Sequence, residues 1–197
     1  FFNRSNNKEI PIACKQVLSC AKNYLKKYSR DTLSNNPNAT TMFSNRHLLK
    51  QALQDQSTEI VAIDIKACYW NILKNKGILT KKVYNKYLDN KLVRLVAVGN
   101  LAKAKHERFY INGKENKDLY IRTENKYRII WDYVVSQVWD VFHKINYALS
   151  FNIMFFKTDC FYVLPEYEGA ITNYLRSINL NYSIEYLTCL VYENNIL

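Results

Sequence analysis

Two aspartates, Asp64 and Asp159, are the residues of this chain best placed to do chemistry. Asp64 stands in Thr58-Glu59-Ile60-Val61-Ala62-Ile63-Asp64-Ile65-Lys66-Ala67-Cys68-Tyr69-Trp70, and Asp159 in Asn152-Ile153-Met154-Phe155-Phe156-Lys157-Thr158-Asp159-Cys160-Phe161-Tyr162-Val163. Both stretches are short, β-rich and apolar for five or more positions, the pattern of strands buried on both faces. A carboxylate in such a run is costly to desolvate, and a bound cation is the usual compensation. A lone Asp at a strand end ordinarily caps the next turn or helix. Two of them, in similar runs with similar flanks, point instead to carboxylates converging on one divalent metal site.

Several elements are needed to bring them together. Ile10–Ser29 carries apolar residues at Ile12, Val17, Leu18 and Leu25 with lysines between, an amphipathic helix. A polar connector over residues 29–38 leads to a second helix over Asn45–Gln56, with Leu48, Leu49 and Leu53 on one face. After the Asp64 strand, residues 67–73 predict a turn running into a helix, closed by Gly77, and Thr80 caps another. From Asn90 an apolar helix carries cations at intervals: Lys91, Arg94 and Val98 share one face, and Gly99 and Lys103 another. Residues 107–123 read as a hairpin turning at Asn112-Gly113. Asn125–Ser150 is the longest helix, with Ile130, Tyr133, Val134, Val138 and Phe142 on a broad apolar face. It delivers the chain to the Asp159 strand, after which come a helix over Tyr167–Ser177 and a strand through Tyr186–Tyr192.

Composition narrows the classes of function. At 197 residues, with 48% hydrophobic residues, the chain is long and apolar enough to bury a core. Only 4 Gly are present, and neither a dinucleotide-binding nor a Walker glycine loop exists. Lys and Arg number 28 against 17 Asp and Glu, a formal charge of +11 that suits a polyanion, nucleic acid before an anionic membrane. No run reaches the roughly 18 apolar residues of a membrane span. The five cysteines, Cys14, Cys20, Cys68, Cys160 and Cys189, are odd in number and lack metal-ligand spacing, so a reducing, cytoplasmic compartment is expected.

The two Asp segments resemble the palm of family B DNA polymerases, most nearly its compact viral and protein-primed branch. Motif A of that family reads Asp-x-x-Ser-Leu-Tyr-Pro; here stands Asp64-Ile65-Lys66-Ala67-Cys68-Tyr69-Trp70, which keeps the Asp and the Tyr. Motif C reads Asp-Thr-Asp-Ser; here stands Lys157-Thr158-Asp159-Cys160, which keeps the metal-binding second Asp and replaces the first by Lys. Motif B, Lys-x-x-x-Asn-Ser-x-Tyr-Gly, has its nearest counterpart in residues 94–103, which keep a leading Arg94 and a trailing Lys103 but lose the central Asn, the Tyr and the Gly. The resemblance covers roughly residues 58–165, in the order motif A, basic helix, hairpin, long helix, motif C.

The resemblance implies nucleotidyl transfer to DNA. In that reaction two divalent ions roughly 4 Å apart stabilise the attacking and leaving oxygens. Asp64 and Asp159 would bridge Mg²⁺ or Mn²⁺, with the Ile65 carbonyl as a further ligand. Arg94, Lys91 and Lys103 would hold the triphosphate of a dNTP, Tyr69 would lie under its sugar, and Lys157, Lys105 and Arg108 would meet primer-template DNA. Lys157 reads two ways: on the same strand face as Asp159 it would either pair with primer phosphate or repel the metal. The expected fold is α+β: a palm-like antiparallel sheet over residues 58–197, helices on one face, a helical fingers-like insertion at about 71–106, and an N-terminal helical segment over 1–57. No stretch resembles an exonuclease domain or a full thumb, so another protein chain is expected to supply them. The rival reading is a catalytically inactive palm remnant serving as a basic nucleic-acid-binding or structural module.

Overall fold

The computed structural model describes residues 8–54 and 59–187, except for the side chains of Leu53, Asn116 and Lys117. Thr58, Cys189 and the expected strand beyond Leu187 lie outside the described residues. The class is α+β, and the compact units divide the chain more than once rather than at a single point near residue 57. One unit comprises Phe1–Asn36 with Ile72–Val134, and the other Pro37–Asn71 with Val135–Leu197.

The first unit is built on three helices, α1 (Glu9–Lys27), α4 (Lys81–Tyr87) and α5 (Lys91–Ala102). Ala13, Val17 and Ala21 of α1 and Val93, Ala97 and Leu101 of α5 are wholly buried, and the small residues let α1 pack closely on α5. Two side chains tie the helices further: the Tyr87 hydroxyl lies 2.7 Å from Gln16 Oε1, and the Asn90 amide 3.3 Å from Glu9. The helix starts follow their caps, since Thr80 accepts from the Val83 N–H and Asn90 from the Val93 N–H. After α5 comes a two-stranded ribbon, β3 (Lys105–Ile111) and β4 (Lys114–Thr123). It turns at Asn112 (φ 51) and Gly113 (φ 76), both in the left-handed region, as an Asn-Gly hairpin turn requires.

The second unit holds a five-stranded sheet of β1 (Met42–Ser44), β2 (Ile60–Ile65), β5 (Phe155–Lys157), β6 (Cys160–Val163) and β7 (Tyr182–Leu187). The strand order is β1-β5-β6-β2-β7, and every pairing is antiparallel. α2 (Arg46–Gln54) follows β1, and α3 (Cys68–Asn75) leaves β2. α6 (Arg128–Ala148) precedes β5, and α7 (Glu168–Ser177) joins β6 to β7. Without β1, the core is a β-α-β-β-α-β unit in which β6 lies between β2 and β5, and β2 between β6 and β7, the ferredoxin-like split arrangement.

The two crossover helices share one face. Phe142 of α6 stacks on Phe156 at 4.6 Å, and Phe156 meets Phe161 at 5.1 Å. Phe161 pairs with Ile63 across the sheet, so Val61, Ile63 and Tyr186 look to the same side, where the Tyr186 hydroxyl donates to Glu168 of α7 at 2.8 Å. α2 departs from the expected single layer. Its Leu49 and Ala52 pack with Ile60, Met154, Phe155 and Tyr162 on the opposite face, at the Ile60 end of β2.

The Asp159 segment is two strands rather than one. β5 ends at Lys157, Thr158-Asp159 turns, and β6 begins at Cys160. Thr158 has φ 61, and the Asp159 N–H donates to the Lys157 carbonyl at 2.7 Å, a three-residue turn. The Thr158 N–H donates to Thr41 at 2.6 Å, which fastens the turn to the approach to β1.

Candidate active site

Register places the site. Asp64 on β2 stands directly opposite Cys160 on β6, Cys160 opposite Lys157 on β5, and Asp64 opposite Ser183 on β7. Directly paired residues share a face, so one row runs Lys157, Cys160, Asp64, Ser183. It lies on the face that α2 covers only at its Ile60 end. Lys157 is exposed, and Cys160, Asp64 and Ser183 are half-buried, so the row is open to solvent.

Asp159 lies in the turn that leads into this row. The Ile65 N–H donates to the Asp159 carbonyl at 3.0 Å, which locks the residue after one aspartate to the main chain of the other. The alternation expected between Lys157 and Asp159 does not apply, because the two residues flank a turn. Lys157 instead shares a face with Asp64 through the β5–β6 register.

The surroundings record the combined charge. Burial first, then Asp159 and Asp64, raise the Cys68 thiol well above its ordinary value. The Tyr69 hydroxyl is likewise raised, by burial, Asp159 and Cys68. Burial pushes the Cys160 thiol up to about 11; a hydrogen bond with Tyr162 opposes this, and Asp64, Asp159 and Glu185 add to it. Tyr162 rises to about 12 through burial, Cys160, Asp64 and Glu185. Cys68 and Cys160 thus feel both aspartates, Tyr69 only Asp159, and Tyr162 only Asp64.

Glu185 is the functional candidate that sequence reading missed. It pairs with Ala62 two positions along β2 from Asp64, hence on the Asp64 face, and it is exposed. The expected strand began at Tyr186, and only the β2–β7 register brings Glu185 to this face.

Tyr69 is positioned by the exit from β2. Ala67 adopts φ 51, and Asn71 of α3 reaches back, its amide 2.9 Å from the Lys66 carbonyl and its N–H 2.9 Å from that of Ala67. The turn therefore reverses within two residues and sets Tyr69 in the first turn of α3, within the field of Asp159. The Ile65 side chain is buried, so only its main chain is able to serve the site. Asp64, Asp159, Ile65, Tyr69 and Lys157 therefore gather in the second unit.

The remaining expected residues belong to the first unit. Lys91 is exposed in the first turn of α5, and Arg94 is half-buried, with its Nε buried and lacking a hydrogen-bond partner among the described residues. Val98, expected on their face, is buried, so that face runs from solvent into the core. Lys103 is not on the helix: it is the extended residue after Ala102, and it acts on the Cys14 thiol of α1. Lys105 and Arg108 are on β3, where each pairs with a carboxylate, Lys105 with Glu107 and Arg108 with Glu115.

The donor set suits a hard cation. Two carboxylates and a main-chain carbonyl offer only oxygen, the preference of Mg²⁺, which keeps waters and substrate phosphates as its other ligands. Among the described residues no three His, Cys, Asp or Glu side chains gather to hold a metal by themselves. Protein-family models, curated proteins and solved structures yield no match to this chain.

Proposed function

We propose that the chain is a reduced polymerase palm of the family B type, transferring nucleotides from dNTPs to a DNA primer with Mg²⁺ or Mn²⁺. One observation carries the reading. Asp64 and Asp159 lie at the same end of two hydrogen-bonded strands in a β-α-β-β-α-β sheet, joined by the Ile65–Asp159 main-chain bond. The bound ions would supply charge stabilisation at the attacking and leaving oxygens. Asp64 and Asp159 would hold them, and Tyr69 at the start of α3 would lie beneath the sugar. A second chain would contribute the grip on primer-template that a palm alone lacks.

Lys157 favours a second reading. Its place in the Asp64 row sets a cation beside the metal position, as in a palm retained for binding after its chemistry was lost. Primer extension and Mn²⁺ binding, measured on the native chain and on Asp64→Asn, Asp159→Asn and Lys157→Asp, separate the two. The polymerase reading expects metal-dependent incorporation that falls at least about 100-fold in either Asn variant, the scale of a lost transition-state electrostatic contact. It also expects tighter metal binding in Lys157→Asp. Native chain that binds DNA but neither metal nor nucleotide establishes the binding remnant.

A further inference from the structure

The ribbon β3–β4 leaves apolar surface exposed among cations. Phe109, Tyr110, Ile111, Leu119, Tyr120 and Ile121 are all exposed, Tyr110 to 60%. A two-stranded ribbon is marginal by itself, so six large apolar side chains held in water on it call for an occupant. Lys105, Arg108, Lys114 and Arg122 are exposed among them, Lys105 beside Glu107, Arg108 beside Glu115 and Arg122 beside Glu124, exposed pairs that a phosphate would have to exchange.

The faces of the ribbon narrow what that occupant is. At its tip Tyr110 pairs with Glu115, and Phe109 with Asn116, so the two neighbouring rings look to opposite faces. Neither ring stacks on another aromatic ring among the described residues. At its base His106 pairs with Arg122 and bonds the Tyr120 hydroxyl, so His106, Tyr120 and Arg122 share a face. A flat membrane surface would satisfy only one such face.

The charge of the surrounding unit chooses the sign of the partner. The first unit contains 22 Lys and Arg against 8 Asp and Glu, a net +14. The second contains 6 against 9, a net −3, and the two together give the +11 of the chain. The whole cationic excess therefore belongs to the unit that carries the ribbon.

We infer that the ribbon is a stacking platform for single-stranded nucleic acid, with bases on Phe109 and Tyr110 and phosphates on the neighbouring cations. Rings with free faces set among Lys and Arg are the two ingredients of sequence-tolerant single-strand binding. In a duplex the bases already stack on each other, so exposed rings gain nothing there. The inference needs neither metal nor catalysis and stands apart from the polymerase reading.

The test is fluorescence anisotropy of the full chain in EDTA, without nucleotide, on a labelled oligothymidylate of about 20 nucleotides and on a blunt duplex of equal length, a span able to cover one such site. Tyr110→Ala and Phe109→Ala are each expected to weaken the single strand about 5- to 100-fold, the range of one lost base stack. Duplex affinity should hold within about twofold, and Tyr110→Phe, which keeps the ring, should behave as native. Circular dichroism checks folding, which loss of exposed rings leaves intact. Equal affinity for both nucleic acids, or no effect of ring removal, overturns the inference. So does an Ala variant that changes sedimenting mass (a self-association surface), or one that loses binding to phosphatidylserine vesicles (a lipid surface). Lys50→Gln, an exposed change in the second unit, should bind the single strand as native does. Failed extension with intact single-strand binding counts against the polymerase reading alone.

Discussion

Protonation near Asp64 and Asp159 is measurable residue by residue. Cys160, pushed up to about 11 chiefly by burial, holds its proton at neutral pH, and only its thiolate is a nucleophile. Iodoacetamide labelling followed peptide by peptide should therefore be slow at pH 8 and climb as pH passes through about 11. Asp64→Asn should move that rise to lower pH; a rise centred at 9.0, the ordinary thiol value, in the native chain would refute the assignment. The folded chain binds this proton more tightly than the unfolded chain, so the contribution is complete below pH 9.0 and is lost as pH rises through about 11. Asp64 and Asp159 were legible in the sequence because a carboxylate in an apolar run demands an explanation. Glu185 was not: it follows Tyr182-Ser183-Ile184 in a half-exposed stretch, and its nearness to Asp64 comes from pairing between distant segments.

Among the elements, the β5–β6 hairpin and its aromatic support are the parts to perturb. Phe156 is fully buried and stacks on Phe142, so Phe156→Ala should cost about 3–5 kcal/mol, read as a lower urea midpoint at constant slope. Thr158 holds a positive φ that a β-branched residue rarely adopts. Thr158→Gly should therefore stabilise the chain by about 1 kcal/mol in the same measurement, and a loss would show that the Thr side chain contributes more than its backbone costs. Helices were the most legible elements, because Thr80 and Asn90 announce their starts, and Asn112-Gly113 announces the ribbon turn. The β5–β6 turn was not, since its positive φ falls on the β-branched Thr158 rather than on a Gly, Asn or Asp. β1, at three residues, is too short for its period to be seen.

For the molecule as a whole, the division of charge predicts how the proposed nucleic-acid binding would respond to salt. Affinity should fall linearly on a log–log plot, with a slope set by the phosphates that cations of the first unit neutralise. Lys81 and Lys82 are exposed in the first turn of α4, where a cation opposes the helix dipole. Replacing both by Gln should leave the fold no weaker and make the slope shallower by as much as about 2, while Lys50→Gln with Lys144→Gln in the second unit should leave it unchanged. Equal effects from the two pairs would refute the segregation. The total charge was plain from composition, but its division was not, because the basic unit is assembled from two separated stretches.

The same interleaving sets a schedule for synthesis. β2 is almost wholly buried, yet both strands that flank it are made long afterwards, β6 from Cys160 and β7 from Tyr182. At roughly 5–20 residues per second, the apolar strand Ile60–Ile65 waits about 5–20 s after synthesis before its first neighbour exists. Through that interval it presents an edge on each side, an invitation to pair with another nascent copy. Yield should therefore depend on translation rate and on chaperone supply more steeply than the stability of the finished chain would suggest.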